Sequence, residues 1–342
     1  MISPLVTILM PVYNSQTYLQ ESIDSMLGQS YKNFEFIIVD DGSKDKSNNI
    51  IKKYSDKRIK LITHKTNLGI VASLNEGLAI AKGKYIIRMD SDDISFPDRL
   101  KTQVDFMESN PEVGVCGSWI EVFGTSNYIW RPPTSHEEIK VLLFVESALA
   151  HPSVCIRREI LTKYELQYDK KYQYVEDYKL WIELSKITKL ANVPAVLLKY
   201  RTHNTQIGQL QGATQANVKN NLSIEILKNL IPQLSESEEL LHQIAMSWPK
   251  LTSYKKLGQL REWYEKLVLS NEMSSIYDKK LFRNKIAERW VGVCYLAEGL
   301  GWQRYFYVLS SWFLVSPSFR YILEIKISSI KQYILATLRR YT

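Results

Sequence analysis

Cysteine is scarce in this chain of 342 residues, and the three that occur, Cys116, Cys155 and Cys294, lie far apart with no metal-ligand spacing. That pattern predicts reduced, buried thiols rather than a zinc site or a disulfide framework. No apolar run approaches the roughly 18 residues that a bilayer-spanning helix needs. Met1-Ile2-Ser3-Pro4 has neither the charged nor the apolar region of a secretory signal, so the expected location is the cytoplasm. Glycine is missing where two common nucleotide-binding patterns require it. The loop after the first strand carries neither the dinucleotide fingerprint nor a P-loop, which argues against a nicotinamide dehydrogenase and a P-loop NTPase. A zinc finger, an RNP-type aromatic motif, a long basic run, a repeat of constant length and a low-complexity linker are absent too. Nucleic acid is therefore not an expected partner.

What is present suffices for a folded core: 45% of residues are hydrophobic and 23% charged. Lysine and arginine number 44 against 36 acidic residues, a formal charge of +8. Such a balance favours an acidic partner, either a phosphorylated small molecule or an anionic membrane surface.

The first half of the chain alternates. Val6 to Met10 reads as a buried strand stopped by Pro11. Leu19, Ile23, Met26 and Leu27 recur at helical spacing, and Phe34 to Val39 makes a second strand. A polar helix from Ser43 to Lys53, a strand from Ile59 to Ile62 and a helix carrying Leu74, Leu78 and Ala81 follow, with Gly83 expected as its C-cap. Such alternation predicts an α/β fold, a mostly parallel sheet with helices on both faces. Further on, the pattern predicts a helix from Pro97 to Met107 and a strand from Val113 to Cys116 that Trp119 to Phe123 continues or pairs with. A strand from Val154 to Ile156, an extended Tyr172 to Val175 and a last strand from Val193 to Tyr200 complete this part. From about Asn217 strand signals fade. Leu222, Ile226, Leu227 and Leu230 form a helical stripe, and Ser235 with Glu238 fits a capping box. The expected division is 1–215 for the α/β domain and 216–342 for a C-terminal helical module.

Three acidic groupings stand out. Asp90, Asp92 and Asp93 fall within four positions at the exit of the strand ending in Arg88. Carboxylates bunched so tightly repel one another unless a cation sits among them, which points to a divalent metal. Asp40-Asp41-Gly42-Ser43 leaves the second strand in the same way. Glu176-Asp177 opens a helix, where acidic residues also complement the helix dipole, and Trp181 follows one turn later.

Taken together, Pro11-Val12-Tyr13-Asn14, Asp40-Asp41-Gly42-Ser43, Asn67-Leu68-Gly69, Met89-Asp90-Ser91-Asp92-Asp93, Glu176-Asp177-Tyr178 with Trp181, and Tyr200-Arg201-Thr202-His203 resemble the family 2 glycosyltransferases of GT-A fold. The motifs stand in the family's order over roughly residues 4 to 210. The resemblance implies a Rossmann-like GT-A domain and an inverting transfer of a hexose or N-acetylhexosamine from a nucleotide-sugar, most often a UDP-sugar. The acceptor implied is a hydroxyl of a glycan or lipid-linked molecule in bacterial surface polysaccharide synthesis. Pro11, Tyr13, Asn14, Asp40, Asp41, Asn67, Arg88 and Asp90 would serve the nucleotide-sugar, and Asp92, Asp90 and His203 a Mn²⁺ or Mg²⁺ ion. Asp177 would be the general base, with Glu176 and Trp181 on the acceptor side. Three rival readings fit less well. A haloacid-dehalogenase-type phosphatase normally has Thr or Val where Ile94 stands, a sugar nucleotidylyltransferase needs a glycine-rich basic N-terminal loop, and a catalytically dead assembly subunit would not require an intact Asp92 and Asp177. Finally, the aromatic and basic stretch from Gly301 to Thr342 is expected to touch the inner face of the plasma membrane peripherally.

Overall fold

The computed structural model describes residues 5–204, 212–297, 300, 308 and 311. The membrane-contact expectation for 301–342 thus falls almost wholly outside the described residues. The chain divides into two compact units, Met1–Lys219 and Asn220–Thr342.

In the first unit nine strands share one sheet among the described residues: β1 (Val6–Val12), β2 (Phe34–Asp40), β3 (Ile59–Thr63), β4 (Tyr85–Arg88), β5 (Ile94–Ser95), β6 (Val113–Gly124), β7 (Tyr128–Trp130), β8 (Cys155–Arg157) and β9 (Lys189–Thr202). Their order is β3-β2-β1-β4-β8-β6-β9-β5, with β7 hairpinned onto β6. The first four are parallel, β8 runs antiparallel between β4 and β6, and β9 is parallel to β6. Helices α1 (Leu19–Leu27), α2 (Ser47–Lys52), α3 (Ile70–Ile80), α4 (Arg99–Ser109), α5 (His136–Leu142), α6 (Arg158–Lys163) and α7 (Glu176–Ser185) fill the connections.

Strand alternation decides which helix lies where. Val6, Ile8 and Met10 of β1 join Phe36 and Ile38 of β2 and Ile87 of β4 in one core with Leu19, Ile23 and Met26 of α1 and Leu100, Val104 and Met107 of α4. Leu9, one position out of phase, faces α3, which packs so closely that a Cβ added at Gly77 would meet Leu9 Cδ1 at 2.2 Å. Helices therefore cover both faces of the parallel half, and its buried strands read as continuous apolar runs.

Several local readings change. β1 does not stop at Pro11 but continues through Val12. The Val6 N–H donates toward β2, to Asn33 O, so odd-numbered N–H groups face β4, whose pairing ends at Leu9–Arg88. Proline at position 11 has no ladder bond to lose. The C-cap of α3 is Ala81, not Gly83. Gly83 instead lets the chain press against β1: its N–H donates to Thr7 Oγ1 at 2.8 Å, and a Cβ there would lie 2.4 Å from the Thr7 backbone nitrogen. Since backbone cannot yield, Gly83→Ala should lower stability by about 1–3 kcal/mol, read as a fall in the urea midpoint of the whole chain. An unchanged midpoint would show that the β1–β4 entry relaxes freely. Tyr172 to Val175 is not extended: Lys170–Tyr172 is a 3₁₀ turn, and Tyr174 takes a left-handed φ of 75° just before α7.

The described part of the second unit, up to Ala297, is helical. α8 (Gly212–Leu230) enters it, followed by α9 (Glu236–Met246), α10 (Tyr254–Ser274) and α11 (Lys279–Leu296). The Ser235–Glu238 capping box is present with both reciprocal hydrogen bonds. Leu257, Tyr264 and Leu267 of α10 are buried along with Phe282, Ile286 and Trp290 of α11. Among the described residues no helix is long and apolar enough to cross a membrane.

Candidate active site

The chain crosses from β3 to β4 over β1, so β1 is flanked by β2 on one side and β4 on the other. A crevice opens outside the carboxyl ends of strands at such a reversal. The acidic cluster sits there. Asp90, Asp92 and Asp93 each bring a carboxylate oxygen within 4.8 Å of the others. Asp93 is fully buried; Oδ1 accepts the Arg201 N–H at 2.8 Å, while Oδ2 has no hydrogen-bond partner among the described residues. Burial first, then the charges of Asp90 and Asp92, pushes the Asp93 carboxyl well above its ordinary range. Asp92 is raised by burial and by Asp90, against the pull of His203, whose Nε2 lies 3.0 Å from Asp92 Oδ2. An all-oxygen donor set with an orphaned buried carboxylate atom suits a hard divalent cation.

The end of β9 reaches this cluster because β5 pairs antiparallel with it, Ile94 opposite Lys199. Arg201 then clamps the loop. Its Nε donates to Asp92 O at 2.8 Å, its Nη2 meets the Glu21 carboxylate, and its guanidinium lies over the rings of Tyr18 and Phe123 at 4.3 and 4.5 Å. Beneath, α4 is tied to the exit of β4 by the buried Arg99, which donates to Arg88 O at 2.8 Å and Gln103 Oε1 at 3.0 Å.

On the other side, the exit of β2 holds the neighbouring loops in place. Asp40 accepts from Ser43 N at 3.1 Å and Asn48 Nδ2 at 2.8 Å. Asp41 is 3% exposed, with Oδ1 accepting from Leu68 N at 2.7 Å and Oδ2 from Gly69 N at 2.8 Å. Gly42, at φ 71°, allows the 64–69 loop to approach; a Cβ there would lie 2.7 Å from the Thr66 carbonyl carbon. Asn14 joins the first two strand exits: it adopts a left-handed φ of 49°, its N–H donates to Ser43 Oγ and its Oδ1 accepts from Lys44 N. Pro11 is buried in β1, whereas Tyr13 and Asn67 are exposed.

The third wall is the start of α7. Burial raises the Asp177 carboxyl to about 6, although the Tyr178 N–H and Arg88 oppose the shift. Burial together with the Asp177 charge raises Glu176 to about 7, and Glu176 Oε2 has no hydrogen-bond partner among the described residues. Arg88 is 3% exposed and ion-paired with Asp90. Its charge also acts on Asp177, Glu176, Asp93 and Tyr168, so one buried cation spans the cleft between the acidic cluster and α7. Trp181 is fully buried, edge-on to His151 at 5.9 Å between ring centres. That places it behind the cleft, with no ring face open to a sugar. His151 hydrogen-bonds Tyr168 Oη at 2.8 Å, and burial plus Arg88 holds its imidazole neutral.

Asp90, Asp92, His203, Arg88, Glu176 and Asp177 thus form one electrostatically connected group, and Asp41 anchors the loop that bears Asn67. Sequence reasoning counted Asp93 in the acidic cluster but assigned it no ligand role, and gave no role to Arg201. Tyr168 and His64 carried no signal, because their partners are remote in the chain: Asn75 brackets Tyr168 from 93 positions away through both backbone groups.

Residues 7–165 match the family described as Glycosyl transferase family 2. An uncharacterized glycosyltransferase of Haemophilus influenzae is 32% identical over 256 residues, covering 71% of this chain and 79% of that protein. Another, from Methanocaldococcus jannaschii, is 40% identical over 210 residues, covering 59% and 72%. Among solved structures, S. aureus TarS 1-349 in complex with UDP-GlcNAc superposes with a TM-score of 0.56 at 16% identity, covering 84% of this chain and 88% of that one. The mannosyltransferase PcManGT from Pyrobaculum calidifontis, in complex with GDP-Man and Mn²⁺, gives 0.50 at 14% identity, covering 96% and 88%. At these identities the two structures speak for the fold.

Proposed function

Because the chain belongs to glycosyl transferase family 2, we propose that it is an inverting, metal-dependent hexosyl- or N-acetylhexosaminyltransferase using a UDP-sugar. The acceptor in this reading is a hydroxyl of a glycan or lipid-linked molecule of bacterial surface polysaccharide synthesis. The observation that carries the reading is the placement of Asp177: a partly exposed carboxyl raised to about 6 by desolvation, within the field of Asp90 and of one buried arginine. The nucleotide sugars held by the two fold relatives support the donor class.

Asp92 and Asp90, with Asp93 behind and His203 beside them, would hold Mn²⁺ or Mg²⁺. When bound, such a cation supplies Lewis-acid neutralisation of the charge that builds on the departing diphosphate. Tyr13 offers an exposed ring for the base, and Asp41 supports the wall of the nucleotide subsite. Asp177 takes the proton of the acceptor hydroxyl as that oxygen attacks the anomeric carbon, on the face opposite the diphosphate. Attack from there inverts the anomeric centre. Glu176, the more easily protonated of the two carboxyls, offers a hydrogen bond from beside the base.

Asp177 must be ionised to act, and its raised pKa means that protonation already competes near neutrality. The transfer rate should therefore rise with pH through about 6 and level off above it, falling toward tenfold per unit on the acid side. A flat profile between pH 5 and 7 would count against Asp177 as the base. The class itself is tested by nucleoside diphosphate release from UDP-, GDP- and dTDP-sugars with Mn²⁺, with and without EDTA. Metal-dependent release from one donor is the expected result. If no nucleotide binds in the presence of metal, the reading fails.

A further inference from the structure

One histidine outside the acidic cluster is held by carboxylates at both ring nitrogens. His64, just past β3, places Nδ1 2.7 Å from Asp41 Oδ1 and Nε2 2.5 Å from Glu76 Oε2 of α3. The ring is nearly closed off, with a side-chain exposure of 7%. Its backbone N–H donates to Asp40 O at 2.9 Å, so the ring cannot drift away from the exit of β2. A neutral imidazole owns a single N–H; it could donate to one carboxylate only and would turn a lone pair on the other. Two hydrogen bonds at these lengths require the imidazolium. The ionisable groups facing the ring are Asp41, just past β2, and Glu76 from α3, while Lys65, its chain neighbour, is exposed. Burial acts against the charged ring, but the two carboxylates outweigh it and His64 titrates above its ordinary value.

The same Asp41 carboxylate carries the 64–69 loop. Oδ1 is shared between His64 and the Leu68 N–H, and Oδ2 takes the Gly69 N–H. Asp41 thus stands between a titratable ring on one side and the wall of the cleft on the other. We propose that protonated His64 is a positioning residue for the nucleotide subsite: it fixes the Asp41 carboxylate, and through it the 66–69 segment, in the arrangement that receives a nucleoside diphosphate. This rests on the reading of that cleft as the nucleotide subsite. A group whose pKa is higher folded than unfolded stabilises its surroundings fully below the unfolded value and loses that contribution as pH climbs through the folded one. Neutral His64 has one N–H for two carboxylates and no charge to hold them, so its grip on Asp41 weakens while Asp41 keeps the Leu68 and Gly69 N–H groups.

The test uses the full chain, with UDP as probe at fixed Mn²⁺. Affinity should fall by about tenfold as pH rises through the His64 titration, the scale of one charge-assisted hydrogen bond. His64→Gln, which keeps a donor for Asp41 but does not titrate, should flatten this dependence. Glu76→Gln removes one carboxylate and should move the midpoint to lower pH, with the imidazole resonance in NMR moving in parallel. Identical pH profiles for wild type and His64→Gln overturn the proposal, as does a His64 resonance titrating at the ordinary value. If UDP fails to bind at any pH, the nucleotide reading falls instead. The positioning role is then read from hydrogen exchange: protection of the Leu68 and Gly69 amides should drop at the His64 midpoint in wild type and stay level in His64→Gln.

Discussion

Asp177→Asn should lower the rate of sugar transfer by roughly 10²–10⁴-fold while leaving nucleotide affinity nearly unchanged. The substitution keeps the size of the side chain and its place at the first turn of α7, but an amide accepts no proton at neutral pH. The carboxylate is also costly where it stands. Burial raises its pKa to about 6, so the folded protein carries it at the expense of stability above that pH. By linkage, a carboxyl whose pKa is higher folded than unfolded destabilises progressively as pH climbs from its ordinary value toward the raised one. Asp177→Asn should therefore be no less stable than the wild type at pH 7, and slightly more so if Arg88 adjusts. Loss of transfer with retained or improved stability is the signature of a group kept for chemistry. Equal transfer by the variant would remove Asp177 from the mechanism, and a large loss of stability would recast it as a structural anchor for α7.

The acidic cluster gives the second large effect. Asp92→Asn, or chelation of the wild type with EDTA, should reduce transfer by roughly 10²–10³-fold, since a Lewis-acid cation contributes several kcal/mol to a developing diphosphate charge. The two treatments should not be additive if both act on the same ion. The metal-free proteins should differ in the opposite sense. Burial and the charge of Asp90 raise Asp92, and burial with the charges of Asp90 and Asp92 raises Asp93, so neutralising Asp92 relieves Asp93, and Asn still accepts the hydrogen bond from His203. Thermal melts settle the matter: Mn²⁺ with UDP should raise the melting temperature of the wild type and not that of Asp92→Asn. An equal rise in both would place the ion elsewhere.

Much of the candidate site was legible because it lies at strand exits. Short apolar runs ending in Asp40-Asp41 and in Asp90-Ser91-Asp92-Asp93 put carboxylates at one end of a parallel sheet by topology alone. The Ser235–Glu238 capping box was legible for a similar reason, since its hydrogen bonds span three residues. Elements built on distant pairing were harder to read. β5 is two residues long and exists only because β9 lies beside it; β7 is defined by its hairpin with β6. Helical spacing placed Trp181 correctly on α7 but could not tell which wall its ring faces, and the fold turns it onto His151. Gly83 resembled a helix cap by position, yet its small size serves contact with Thr7.

The sequence by itself determined the α/β alternation, the acidic strand exits, the helical character of the described residues after 212 and the resemblance to the family. Those properties are written in neighbouring residues, at periods of two and 3.6 or within single motifs. Only the tertiary structure decided how the carboxylates are held: Arg201 against Asp92 and Asp93 across 109 and 108 positions, His203 against Asp92 across 111, and His64 between Asp41 and Glu76 across 23 and 12. Hydrogen bonds of this kind follow no local period. They form where packing brings a donor to an acceptor that burial has stripped of water, so their pairing and their pKa shifts exist only once the chain has folded.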